Sequence, residues 1–115
     1  MTGKIKAGVV QATPILFDVE KSVSLVIHWI EQAKREGCKL LLFPESFIPA
    51  YPRGISYDAV IGKRTERRRE LWLDYWKNSI DESSKYVKQI GNAAKQAKMF
   101  VALGVTEREP IGGTL

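Results

Sequence analysis

The sequence predicts an α/β fold built on parallel strands. Short apolar runs at residues 5–11, 40–43 and 99–105 have the length and composition of buried strands. Between the first two lies a stretch with helical spacing, and the links are only a few residues long. Strand, helix and strand joined in this way favour a right-handed crossover and a parallel pair.

Residues 5–11 mix Ile, Val, Ala and Gly with few charges, and Ala12-Thr13-Pro14 ends the run in a loop. Asp18 is a candidate N-cap, after which Val19, Val23, Val26, Ile27, Ile30 and Ala33 recur at three- and four-residue steps until Gly37 provides a stop. On this helix His28 projects away from the apolar side, next to Ser24 and Gln32, and is expected in solvent. Residues 40–43 form the second strand. The segment 47–62 is broken by Pro49, Pro52, Gly54 and Gly62 and reads as a long loop.

Thr65 can cap a helix carrying Leu71, Trp72, Tyr75 and Trp76, an aromatic stripe expected to serve the core or a subunit contact. Asp81 can cap another, with Val87, Ile90, Ala94 and Ala97 on one face. Residues 99–105 are the third strand. Glu109-Pro110-Ile111-Gly112-Gly113 is a turn signal, and Thr114-Leu115 then reads as a strand returning in hairpin fashion. A returning strand of two residues would leave an open edge, so the sequence is expected to be one truncated segment, residues 1–115, of a longer domain.

Composition narrows the chemistry. One cysteine, Cys38, excludes an internal disulfide framework, and with one histidine no metal site of ordinary Cys/His spacing can form. Metal chemistry is therefore not expected. The net charge of +5 owes +3 to residues 63–70, and no nucleic-acid motif accompanies that basic run. The arginine cluster is expected to be a solvated helix start, although three arginines in the first turn oppose the helix dipole and hint at an acidic partner or neighbouring subunit. Without a signal peptide or a membrane-length apolar run, no membrane contact is expected, and the expected location is the cytoplasm.

Glu45 is the residue that asks for an explanation. It follows Leu40-Leu41-Leu42-Phe43-Pro44 at a strand's carboxyl end, where ligands gather in open α/β sheets. With Phe43, Phe47 and Tyr51 as apolar walls it could serve as a general base; alternatively it caps a turn or pairs with Arg53. Cys38, at the turn entering the same strand, stands at the far end from Glu45 and is expected to be structural.

The block from Phe43-Pro44-Glu45-Ser46-Phe47 through Ile48-Pro49-Ala50-Tyr51-Pro52-Arg53-Gly54 resembles the glutamate motif of the nitrilase superfamily, in its nitrilase branch. Gly8-Val9-Val10-Gln11-Ala12-Thr13-Pro14, residues 71–80 and Ala102-Leu103-Gly104-Val105-Thr106-Glu107-Arg108 are similar to the same pattern. The resemblance implies the N-terminal part of a four-layer α-β-β-α sandwich. It also implies hydrolysis of a carbon–nitrogen bond in a small-molecule nitrile by a glutamate, lysine and cysteine set, with no redox or metal cofactor. Glu45 matches the catalytic glutamate, and the family's lysine and cysteine lie in later motifs. Tyr51 matches a position lining the substrate pocket, with loop packing as its alternative, and Arg53 is expected to anchor the loop. The segment alone is expected to be inactive, and the complete protein to form dimers or spirals of identical subunits. An amide- or cyanide-hydrolysing relative, or a non-catalytic interaction module, remains the alternative.

Overall fold

The computed structural model describes residues 3–52 and 65–115. Arg53, the loop as far as Gly62 and the basic residues Lys63 and Arg64 lie outside the described residues.

Three strands, β1 (Ala7–Val9), β2 (Leu40–Leu42) and β3 (Phe100–Ala102), form one parallel sheet in the order β1-β2-β3. Ala7 stands opposite Leu40 and Leu40 opposite Phe100, so Gly8, Leu41 and Val101 share the alternate face. Helix α1 (Val19–Arg35) links the first pair, and α2 (Glu66–Lys77) with α3 (Lys85–Ala97) lies between β2 and β3. The strands are shorter than their apolar runs because pairing continues beyond them only as isolated bridges, Ile48 to Val105 and Ile80 to Glu107.

Local chemistry sets the helix ends. The Asp18 side chain accepts the Lys21 N–H at 3.0 Å, and the first helical N–H, that of Val19, donates to Asn78 Oδ1 at 3.0 Å. At the other end Gly37 adopts φ +80° while Cys38 N–H returns to the Ala33 carbonyl and Gly37 N–H to that of Lys34, the paired bonds of a Schellman ending. Helix α3 ends in the same pattern, but Lys98 takes the left-handed position at φ +50°. The α3 cap departs from expectation. Its N-cap is Ser84, and Asp81 instead accepts the backbone N–H and hydroxyl of Ser83 at 2.9 and 2.8 Å, closing the preceding turn.

The core lies on one side of the sheet. Val19, Val23, Val26, Ile30 and Ala33 of α1 are buried with Val10, Leu41 and Phe43, and Tyr86, Ile90, Ala93 and Ala97 bring α3 against them. Val87, expected on that face, is 38 % exposed, because the inward stripe runs through Tyr86. The opposite face of the sheet carries Val9, Leu40, Leu42 and Phe100, all exposed. Both crossovers step in the same direction along the sheet, so a common hand puts α1 and α3 on the same side. Among the described residues no helix is long and apolar enough to cross a membrane.

Candidate active site

Two loops leave the carboxyl ends of neighbouring parallel strands, and between them is a shallow open depression of about 690 Å³. Thr13, Pro14 and Leu16 line it from the loop after β1, and Pro44, Glu45, Ala50 and Tyr51 from the loop after β2. Glu45 and Tyr51, singled out by the sequence, therefore face one space. Both are exposed. None of the ion pairs among the described residues engages Glu45; these are Lys6–Glu36, Lys21–Asp18 and Lys85–Glu20.

Of the three expected apolar walls Tyr51 is in place, and the two phenylalanines are replaced by others. Phe43 and Phe47 turn into the core at 3 % and 0 % exposure and meet edge to face at 5.3 Å. Burial of these two rings anchors the chain on both sides of Glu45 and leaves the carboxylate pointing out of the core. Proline and aliphatic carbons from the loop after β1 take the place assigned to the phenylalanines, which reading along one strand could not reveal. The signal available was the Thr13-Pro14 break directly after the neighbouring strand.

The turn at Glu45 is closely defined. Phe43 N–H donates to the Ala102 carbonyl at 2.9 Å and Phe47 N–H to that of Gly104 at 2.8 Å. Ser46 has φ +45° and Ala50 φ +81°, and the Ile48–Pro49 peptide bond is cis. The loop after β1 is tied to this segment by Phe17 N–H donating to the Pro49 carbonyl at 3.1 Å, and the buried Ser22 hydroxyl holds the Ile15 carbonyl at 2.9 Å.

Other singled-out residues lie elsewhere. Cys38 is buried at the entrance to β2, where its sulfur packs so close to Gly8 that a Cβ there would come within 3.2 Å of it. The run from Cys38 to Phe43 spans roughly 16 Å at strand rise, so the thiol and Glu45 stand at opposite ends. His28 is exposed on α1. Trp72, 42 % exposed, stacks with Trp76 at 6.5 Å, and the Arg108 guanidinium lies 4.7 Å over the Trp76 ring while donating to the Lys77 carbonyl at 3.2 Å. The Ser83 hydroxyl and then its backbone N–H hold the Asp81 carboxyl below its ordinary pKa, with Arg108 adding attraction. Among the described residues no group of three or more His, Cys, Asp or Glu could hold a metal ion.

Comparison with known proteins shows the family. Residues 6–115 match the carbon-nitrogen hydrolase family. The chain is 38 % identical over 112 residues to an aliphatic nitrilase of Sinorhizobium fredii, covering 97 % of this chain and 36 % of that protein. It is 35 % identical over 114 residues to an aliphatic nitrilase of Rhodococcus rhodochrous, covering 99 % and 30 %. With a cyanide hydratase of Penicillium rubens it shares 38 % over 107 residues, covering 90 % and 28 %. The chain thus spans about a third of the length of the curated relatives it matches. With a family match running from the first strand to the last residue, and a glutamate delivered to the carboxyl end of the central strand, this chain belongs to the carbon–nitrogen hydrolases of the nitrilase superfamily.

Proposed function

We propose that this chain supplies the general base, Glu45, of a nitrilase-type hydrolase that converts a nitrile to a carboxylic acid and ammonia. The observation that carries the reading is the seat of Glu45: an exposed carboxylate beyond β2, lining an open depression with Tyr51, in a chain 38 % identical to an aliphatic nitrilase. Residues 1–115 form the N-terminal segment of one hydrolase domain, a reading supported by the one-third share of its relatives that the chain spans. The apolar face bearing Val9, Leu42 and Phe100 supports a second sheet stacked there, which would complete an α-β-β-α sandwich.

In the complete site, Glu45 takes the proton of a cysteine thiol supplied by the rest of the domain, and the thiolate attacks the nitrile carbon. The abstracted proton passes to the nitrile nitrogen as a thioimidate forms. A lysine ammonium stabilises the negative charge that develops on nitrogen, and later on oxygen. Water adds, ammonia leaves, and the resulting thioester is hydrolysed by a second water that Glu45 activates, which frees the acid and the thiol. Tyr51 shapes the pocket wall. These 115 residues alone provide a base without its nucleophile and are expected to hydrolyse no nitrile.

The identity to a cyanide hydratase favours a second reading, in which one water is added and nitrogen is retained as an amide. Product analysis of the complete protein against aliphatic, aryl and arylacetonitriles and cyanide separates the two. Carboxylate with stoichiometric ammonia supports the first reading, and amide alone the second. Loss of turnover on Glu45→Gln is expected in either case, since Gln keeps the shape but cannot accept the proton. Activity within tenfold of the parent removes Glu45 from the role.

A further inference from the structure

Glu45 sits on a turn that does not hold its shape unaided, since Ser46 at φ +45° lies in a region that residues other than glycine seldom occupy. One neighbouring segment, the end of β3 and its continuation, ties that turn on both sides of the glutamate. Phe43 and Phe47 donate to the Ala102 and Gly104 carbonyls on either side of the glutamate, and Thr106 N–H donates to the Ile48 carbonyl at 2.9 Å. Between these ties the turn rests on Gly104. A Cβ at that position would overlap the Pro44 carbonyl oxygen and stand 2.8 Å from both Glu45 Cα and Ser46 N. Above it runs a chain of hydroxyls: Ser46 Oγ meets Thr106 Oγ1 at 3.3 Å, and Thr106 Oγ1 meets the Tyr75 hydroxyl at 2.9 Å. Thr106 is itself fixed, because its carbonyl accepts the Ile80 N–H at 2.8 Å.

We infer that Thr106, backed by Tyr75, is a positioning residue for Glu45: its hydroxyl holds Ser46 in the left-handed conformation that aims the glutamate, and Gly104 gives the turn room. This rests on the reading of Glu45 as general base. Proton transfer needs the base within about 2.6–3.2 Å of its partner, and a misplacement of about 1 Å can cost about a hundredfold in rate. Thr106 touches no reacting atom, so its loss lowers kcat and leaves substrate affinity nearly unchanged.

The test uses the complete hydrolase carrying these residues, assayed by ammonia release from a panel of aliphatic, aryl and arylacetonitriles. Thr106→Val keeps the shape and removes the hydroxyl, Thr106→Ser restores it, and Tyr75→Phe removes the next hydroxyl in the chain. Thr106→Val is expected to lower kcat at least tenfold with KM within threefold, and Thr106→Ser to stay within threefold of the parent. Should Thr106→Val fail to fold, the same kcat-without-KM loss is required of Tyr75→Phe. Glu45→Gln is measured alongside. If it abolishes activity while Thr106→Val keeps kcat within threefold, or while Thr106→Ser falls as far as Thr106→Val, the positioning role is overturned and the general base stands. If Glu45→Gln stays within tenfold of the parent, the reading of Glu45 falls and the positioning role with it.

Discussion

Substituting Thr for both Leu42 and Phe100 tests whether the open face of the sheet is a surface or a hidden interior. Ile5, Val9, Leu40, Leu42 and Phe100 are 67, 69, 37, 49 and 81 % exposed, about 60 % on average. Fully burying a side chain of this size is worth about 1.5–3 kcal/mol, so across five residues about 5–9 kcal/mol of hydrophobic free energy is unrealised. That is comparable with the whole stability of a small domain, about 5–15 kcal/mol. The 115-residue chain on its own is therefore expected to self-associate and to bind a hydrophobic dye. Thr keeps strand propensity while removing apolar surface. In the isolated chain Leu42→Thr/Phe100→Thr should lower the sedimenting mass and dye signal. In the complete hydrolase, where a second sheet would bury both positions, the same pair should cost at least about 4 kcal/mol in urea unfolding. A parent chain that sediments as a sharp monomer without dye binding would refute the reasoning, as would a complete enzyme whose stability is unchanged.

Three further outcomes follow from local geometry, each measured in the Leu42→Thr/Phe100→Thr background. Lys98→Gly relieves the left-handed strain at φ +50° and is expected to add about 1 kcal/mol in urea unfolding; a loss would show that the lysine side chain contributes more than its backbone strain costs. Asp18→Ala removes the bond to the Lys21 N–H and should cost about 1 kcal/mol by the same measure. Ser83→Ala should raise the Asp81 pKa toward its ordinary value, read by carboxyl NMR titration. Because the folded pKa of Asp81 is lowered, its contribution is present above the ordinary carboxylate range and fades as pH falls through the folded value, so the parent–variant difference in stability should shrink on acidification.

What the sequence made legible was local. Helix α1 could be read from its ends because Asp18, the apolar spacing and Gly37 each act within a few residues, and the structure places all three as expected. The parallel pairing followed from short links. Face assignment did not, because Leu40-Leu41-Leu42 is apolar on both sides and carries no polar alternation to mark the outside. Only the structure separates the two faces: Leu41 and Phe43 are buried under the helices, while Val9, opposite Leu42, is 69 % exposed. The α3 cap was missed because Asp81 and Ser84 are equally good capping residues, and only the turn at Ser83 decides between them. Glu45 was legible as a charge at a strand end. Its supports were not, since Thr106 lies 60 residues away and meets Ser46 only after the third strand has paired. Gly104 inside the apolar run 99–105 was the sequence sign of that close approach.

Covalent capture tests the central claim most directly. The complete hydrolase is mixed rapidly with a nitrile that it turns over, quenched in acid, and weighed intact by mass spectrometry. With Glu45 as the base that deprotonates the nucleophile, the parent accumulates a thioimidate or acyl adduct within its first turnover. Glu45→Gln, folded and with an unchanged unfolding transition, should gain that mass at least a hundredfold more slowly. A Glu45→Gln enzyme that acquires the adduct at the parental rate would contradict the account, because the thiol would then have lost its proton without Glu45.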